Sequence, residues 1–282
     1  MAYRVIVLFA FLTGLLLAIG FALGGIIGMI IALVFAVVIN FTSYWYSSGI
    51  IVRMYHAKPT ENKELLDMIK KLSNNASIPV PELYVVPTDL PNAFATGRNQ
   101  KKSIVCLTEG LLLLTNDEIE AVMAHEIAHV KNHDMLISVV AATIGGAISF
   151  LAQIGYLSLF YRDRGEGSIL PLILMVIFAP LAALIVRMAI SRSREYIADR
   201  VGSNISGKPD DLASALVKIN DIARHKPMRG SAATSHLFII NPFKEDWFTG
   251  LFSTHPPVAR RVKILRKMTH KGMPDWSQPD LA

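Results

Sequence analysis

An uncharged stretch near the N-terminus is the feature that most restricts how this chain can fold. From Val5 to Val52, 48 consecutive residues include no Lys, Arg, Asp or Glu. One helix needs about 20 apolar residues to cross a bilayer, so a run of this length predicts two crossings joined as a helical hairpin. Gly24 and Gly25 mark the expected turn. Gly20, Gly24 and Gly28 also form overlapping G-x-x-x-G pairs, which favour close helix packing instead.

The rest of the chain carries the same apolar character. Of its 282 residues, 52% are hydrophobic and 18% are charged, which is typical of a membrane protein. Two further uncharged runs, residues 135–161 and 168–186, predict a second hairpin and four transmembrane helices in total. Pro171 and Pro180 could instead break a helix and leave part of this hairpin buried in protein.

The distribution of Lys and Arg predicts the orientation. Arg4, Arg53 and Lys131 flank the spans on one side, whereas Arg162 and Arg164 lie beside two acids on the other. Basic loops stay inside, so we expect a multi-pass cell-membrane protein with both termini and the polar segments in the cytoplasm. The predicted organisation has four parts: a hairpin over 1–52, a first catalytic part over 53–134, a hairpin over 135–186 and a second catalytic part over 187–282.

The first polar part contains the H-E-x-x-H run His125-Glu126-Ile127-Ala128-His129. Residues four apart lie on one face of a helix, so both imidazoles can reach one metal ion. Glu126 then lies beside the metal, where it can accept a proton from water that the metal activates. Thr115 and Glu118 form a capping-box pattern that predicts the start of this helix. We therefore predict one catalytic Zn²⁺ ion, with Glu126 as general base.

A catalytic zinc ion needs a third protein ligand. Asp163 and Glu166 fall in the loop on the opposite side of the predicted membrane, and Asp134 is too close along the same helix to bend back onto the metal. Glu195 remains the best candidate. Asp199 follows one helical turn later, so one carboxylate can bind zinc while the other accepts a hydrogen bond from a ligating histidine. A solvated charged face is the alternative interpretation of this pair.

Together these features resemble the HtpX-like membrane zinc metalloproteases, relatives of the CaaX prenyl endoproteases. The resemblance extends over nearly the whole chain: two hairpins, HEIAH, SREYIAD at residues 193–199, and Thr254-His255-Pro256-Pro257. It implies an α-helical membrane protein with a cytoplasmic α+β domain of the gluzincin type. It also implies zinc on His125, His129 and Glu195, and proteolysis of damaged or misfolded membrane proteins.

The same resemblance implies roles for two residues near the C-terminus. His255 would stabilise the oxyanion of the tetrahedral intermediate by donating a hydrogen bond. Arg261 would pair with Asp199 and hold the site together. Between them and the second hairpin, residues 226–250 form either a flap over the cleft or an irregular surface loop.

Residues 92–107 read as a β-hairpin that leads into the zinc helix. Its exposed edge could pair with an extended peptide, although an ordinary structural hairpin fits these residues equally well. The family resemblance favours substrate binding at Asn92, Ala93 and Phe94.

Polypeptides, membrane proteins in particular, are therefore the expected substrates. The net charge of +6 and the basic segment 258–268 favour contact with anionic lipid, and the apolar spans argue against nucleic acid. Two other functions stay open. A prenyl-protein protease would need an enclosed cavity for a lipidated C-terminus, which four spans do not favour. A non-catalytic membrane scaffold or chaperone is disfavoured because the motif residues are intact.

Overall fold

The structure is a computed structural model that describes residues 2–134, 192–225 and 256–271. These residues belong to two compact units. Residues 2–45 form the described part of the first unit, and residues 46–134, 192–225 and 256–271 form that of the second. The predicted second hairpin and the segment 226–250 lie outside the described residues.

The helical segment α1 extends over Ala2–Met54 and contains a reversal of chain direction. Gly25 has a φ of 58°, and a Cβ added at Gly20 would lie 2.5 Å from both the carbonyl oxygen of Gly28 and the Cβ of Ala32. Eight residues of straight helix span about 12 Å, so this contact requires the chain to double back near Gly25. The glycines thus serve both the turn and the close packing. None of the helices in the described residues is long and apolar enough to cross a membrane.

A four-stranded sheet with the order β1-β2-β4-β3 forms one layer of the second unit. Strands β2 and β4 are parallel, whereas β1 and β3 each pair antiparallel with their neighbour. The strand bounds are Lys58–Pro59 for β1, Glu82–Val86 for β2, Ala93–Gly97 for β3 and Ser103–Thr108 for β4. The predicted hairpin over residues 92–107 is therefore present, and β3 is an edge strand in the described part of the chain.

Five helices share a core with one face of this sheet. They are α2 (Lys63–Ala76), α3 (Asn116–Lys131), α4 (Arg192–Ser206), α5 (Pro209–His225) and α6 (Val258–Lys271). Leu83, Val105 and Leu107 from the sheet are buried in the same core as Ile69 and Leu72 of α2. On the opposite face, Phe94 and Cys106 form a smaller core with the half-buried Ile51, Val52 and Tyr55. Because side chains alternate along a strand, both faces of β3 and β4 are covered.

Helix α3 carries the H-E-x-x-H motif and lies inside the second unit. Its predicted capping box is present: the Glu118 N–H donates to the Thr115 hydroxyl, and the Thr115 N–H donates to the Glu118 carboxylate. Every residue from 118 to 128 is buried, because α2, α4, α5 and β3 all pack against the helix. The motif is therefore held in an interior helix rather than on a surface one.

Candidate metal centre

Three side chains from two helices converge on one point inside the second unit. The Nε2 atoms of His125 and His129, one turn apart on α3, lie 3.2 Å from each other. The Glu195 carboxylate of α4 reaches both: Oε2 is 3.7 Å from His125 Nε2, and Oε1 is 3.6 Å from His129 Nε2. All three offer ligand atoms within 4.8 Å of one another. The structure thus brings together the three residues that the sequence analysis selected as ligands.

The spacing of these atoms fits a tetrahedral metal ion. Ligand bonds of about 2.0–2.1 Å to zinc place neighbouring ligand atoms about 3.3 Å apart. The two Nε2 atoms are 3.2 Å apart, and each has one oxygen of the Glu195 carboxylate at 3.6–3.7 Å, Oε1 for His129 and Oε2 for His125. Two imidazoles and a carboxylate are also a donor set that zinc prefers. Four buried carboxylates surround the point, those of Glu126, Asp134, Glu195 and Asp199. The residues present therefore fit a divalent cation.

A glycine allows α4 to come close enough for Glu195 to reach the histidines. A Cβ added at Gly202 would lie 2.8 Å from the Cα and 2.9 Å from the backbone nitrogen of His125. Gly202 follows Glu195 by seven residues, two helical turns, so both lie on the same face of α4, together with the buried Ala198 and Asp199. The two helices touch almost backbone to backbone at the motif itself. Gly202 was not predicted, because its only signal in the sequence is this spacing.

The ligand His125 is supported from behind by a buried ion pair. Its Nδ1 lies 3.0 Å from Oδ1 of Asp199. Arg261 of α6 donates two hydrogen bonds to the Asp199 carboxylate, from Nε at 2.8 Å and from Nη2 at 2.7 Å. Its Nη1 lies 3.3 Å from Glu195 Oε2. Burial raises the pKa of Asp199, but the charge of Arg261 and these bonds outweigh it and lower the pKa. Asp199 therefore stays ionised and can fix the orientation of His125.

The second histidine has a carboxylate partner of its own. His129 Nδ1 lies 3.1 Å from Oδ2 of Asp134, and Arg194 Nη1 lies 3.7 Å from the other oxygen of Asp134. Burial lowers the pKa of His129, but the hydrogen bond with Asp134 and nearby carboxylate charges outweigh burial and raise it to about 9. A cation that binds here would replace that proton.

The role of Asp134 was not predicted. It was excluded as a ligand because it is too close to the motif along the chain, and it does not belong to the three-residue ligand group. It does, however, turn back onto His129, because His133 adopts a left-handed φ of 59° directly after α3 ends. His is one of the few non-glycine residues enriched in this conformation. That enrichment is the only sequence signal that could have indicated the turn.

The proposed base Glu126 points away from bulk water. It is 4% exposed, and its charge contributes to the raised pKa values of His129 and Arg261. Burial and then the charge of Glu126 raise the pKa of Cys106 to about 12. The single thiol of the chain is therefore protonated and unreactive near this site.

The three residues predicted to bind substrate, Asn92, Ala93 and Phe94, are all buried. Ala93 and Phe94 are buried in the cores on the two faces of the sheet. The Asn92 N–H donates to the Thr108 hydroxyl, which in turn donates to the Asn92 carbonyl. These bonds fix the start of β3. His255, the predicted oxyanion donor, lies outside the described residues.

Comparison with known proteins places the chain in a family. A profile of peptidase family M48 matches residues 59–269, which include all three candidate ligands. The chain belongs to peptidase family M48. The prediction of a metalloprotease is therefore confirmed, as is the resemblance to the HtpX-like enzymes.

Several M48 relatives match over almost their whole length. Protease HtpX homologs of Pyrococcus furiosus, Thermococcus sibiricus and Persephonella marina are 49%, 48% and 45% identical to this chain. The alignments cover 93%, 93% and 95% of this chain and 93%, 94% and 97% of those relatives.

A solved structure has a similar fold. The crystal structure of S. mikatae Ste24p matches with a TM-score of 0.53 at 21% identity. The match covers 94% of this chain but 63% of the Ste24p chain, so this M48 peptidase spans less than two thirds of that protein's length.

Proposed function

We propose that this M48 peptidase is a membrane-bound zinc endopeptidase that cleaves damaged or misfolded membrane proteins. In this proposal His125, His129 and Glu195 hold Zn²⁺ and Glu126 is the general base. The observation that carries the proposal is the convergence of two Nε2 atoms and one carboxylate at 3.2–3.7 Å inside a protein interior.

The chemistry divides between the ion and the side chains. Bound zinc would supply Lewis acidity, which polarises a peptide carbonyl and acidifies water. Glu126 would accept the proton of the attacking water and pass it to the leaving amine. Asp199, held by Arg261, keeps the Nδ1 proton of His125 in place, so that His125 presents its Nε2 lone pair. His255 is proposed as the donor that stabilises the oxyanion.

The substrate would bind as an extended strand. In the described part of the chain β3 pairs on one side only, with β4, so its other edge can form main-chain hydrogen bonds with a peptide. Main-chain pairing recognises any extended segment and gives limited sequence preference. This property suits the removal of proteins that have lost their native structure, because unfolded segments expose their backbones.

Attachment to a membrane is supported by the apolar surface of α1. Phe21, Ile27, Ile31, Val34 and Phe41 are between 56% and 73% exposed. Contiguous apolar surface of this kind is rare on proteins that are surrounded by water. The bilayer is the proposed environment of the first unit, with the catalytic unit in the cytoplasm.

Proteolysis by purified protein, extracted from the membrane fraction with detergent, tests the proposal. We expect wild-type protein to cleave an unfolded casein-like substrate and to lose this activity with a chelator. Glu126→Gln should keep its zinc and lose about 10²–10⁴-fold of turnover, the usual contribution of a general base. Glu61→Gln, at an exposed position, is the matched control and should behave like wild type.

Three outcomes would contradict the proposal. Cleavage by Glu126→Gln at the wild-type rate would exclude the assigned base. Cleavage of a prenylated peptide in strong preference to unfolded protein would favour the prenyl-protein protease. Recovery of the chain in the soluble fraction would exclude membrane attachment.

A further inference from the structure

The two histidines of the metal centre have similar carboxylate partners that are held very differently. Asp199 behind His125 is 2% exposed and receives two hydrogen bonds from the fully buried Arg261. Asp134 behind His129 is 7% exposed, and Nη1 of Arg194 lies 3.7 Å from its Oδ1. Asp199 is therefore held within the helical core, whereas Asp134 lies at the junction between the end of α3 and the start of α4.

That junction joins two distant parts of the sequence. Asp134 lies three residues after the end of α3, and Arg194 lies in the first turn of α4. The Asp134–Arg194 contact joins the end of α3 to the start of α4 beside His129. Arg194 is also the immediate neighbour of the ligand Glu195. This ion pair therefore includes Asp134, which contacts the ligand His129, and Arg194, which precedes the ligand Glu195 in the chain.

We propose that Asp134 and Arg194 form a positioning pair that orients His129 for the metal. The inference rests on the proposed function, because it assumes that His129 binds zinc through Nε2.

The physical basis is the tautomer of His129. Asp134 accepts a hydrogen bond from His129 Nδ1–H at 3.1 Å, which leaves the Nε2 lone pair directed at Glu195 and His125. A carboxylate in this position also makes the imidazole a stronger donor to a metal. The left-handed residue His133 makes the contact possible, because it reverses the chain after α3.

A graded series at position 134 tests the role. Asp134→Glu keeps a carboxylate, Asp134→Asn keeps an acceptor without charge, and Asp134→Ala removes both. We expect zinc affinity, measured by competition with a chromophoric chelator, to fall in that order, with Asp134→Ala weakened about 10–100-fold. Asp67→Asn, at an exposed position on α2, is the matched control and should bind zinc like wild type.

Two further readouts separate positioning from general destabilisation. The absorption spectrum of the Co²⁺-loaded protein reports the ligand geometry, and we expect it to change in Asp134→Asn but not in Asp67→Asn. The melting temperature of the metal-free protein should stay near the wild-type value in Asp134→Asn. If affinity falls only together with that melting temperature, and Asp134→Glu restores neither, the role is structural and the inference is wrong.

A double-mutant comparison tests the pairing with Arg194. We expect Arg194→Gln to weaken zinc binding less than Asp134→Asn, and the double variant to be no weaker than Asp134→Asn alone, because the two side chains act as one unit. Fully additive losses would overturn the pairing.

The outcomes also distinguish this inference from the proposed function. If wild-type protein binds zinc and Glu126→Gln is inactive while Asp134→Ala retains wild-type affinity, only the positioning pair is refuted. If wild-type protein binds no zinc, the proposed function itself fails.

Discussion

The two halves of α3 both bury charged side chains, but they neutralise them in different ways. In the N-terminal half, each glutamate meets a lysine from another helix. Glu118 lies 2.7 Å from Lys218 of α5, and Glu120 lies 2.7 Å from Lys71 of α2. Glu120 also contacts Lys208, which precedes α5. Lys208 also contacts Asp117, so three acids meet three lysines here, and these pairs hold α3 to its neighbours.

Among the described residues, four buried carboxylates and two guanidinium groups lie around the C-terminal half of α3. Glu126 belongs to α3 itself, and Asp134, Glu195 and Asp199 surround the histidines. Arg261 pairs with Asp199 and approaches Glu195, and Arg194 approaches Asp134 at 3.7 Å. Buried carboxylates without equal positive charge are costly, and a divalent cation removes that cost. The balance of buried charge, more than burial itself, therefore separates a structural ion pair from a metal site.

The largest effect on zinc content and activity is expected at Glu195, in the acid-rich surroundings of the histidines. Glu195→Gln leaves two histidine ligands, too few for a stable catalytic zinc site, so it should purify with little zinc and stay inactive at moderate added metal. Asp199→Asn should retain zinc when it is supplied and lose about 10–100-fold in affinity or activity. Metal analysis of the purified variants measures both.

The matched control for these variants is Glu109→Gln, at an exposed position directly after β4. It should keep the zinc content of wild type. Tightly held zinc in Glu195→Gln together with none in Asp199→Asn would reverse the two assignments.

The next effect is expected at Gly202, where α4 touches the backbone of His125. The methyl group of Gly202→Ala would meet backbone atoms at 2.8–2.9 Å, which cannot rotate away, so α4 must shift. Overpacking of this kind costs about 1–3 kcal/mol, and a displacement near 1 Å at a catalytic group costs about 100-fold in rate. We expect kcat/KM to fall by about 10–100-fold, with weaker zinc binding.

Gly49→Ala is the control for this substitution. Gly49 is also helical, but no atom lies within 4 Å of an added Cβ. This variant should keep full activity. Wild-type zinc affinity in Gly202→Ala would show that the helix contact does not position Glu195.

The sequence predicted the parts of the site that depend on local spacing. H-E-x-x-H, the capping box at Thr115 and the i, i+4 acids Glu195 and Asp199 all follow from helical periodicity. Asp134 was missed because its role depends on a backbone reversal at His133, and helical spacing places residue 134 out of reach of the metal. Gly202 was missed because a helix crossing joins residues that are distant in sequence.

Features of the fold were likewise predictable from the sequence only where their signal is local. The hairpin over residues 92–107 and the turn near Gly25 carry local signals in turn residues and in patterns of polarity, and both are present. The lysine partners of Glu118 and Glu120 have no such signal, because Lys71 and Lys218 lie 49 and 100 residues away along the chain. Only the packing of α2 and α5 against α3 selects them from the many lysines of the sequence.

The smallest effect is expected at Glu120, in the balanced half of α3, and it concerns stability rather than catalysis. Burial raises the pKa of Glu120, but its bonds to Lys208 and Lys71 outweigh burial and lower the pKa below 4.5. A carboxyl with a lowered folded-state pKa stabilises the protein above its unfolded-state pKa, and this contribution disappears as the pH falls through the folded-state value. Because Lys71 is 61% exposed, we expect Glu120→Gln to lower the free energy of unfolding by only about 1 kcal/mol at pH 7.

Unfolding of metal-free protein in denaturant, with chelator present, should show this difference at pH 7 and a smaller one near pH 4. Zinc affinity at pH 7 should match that of wild type, since the site lies in the other half of the helix. A loss of zinc affinity in Glu120→Gln as large as in Asp199→Asn would mean that the two halves of α3 do not act separately.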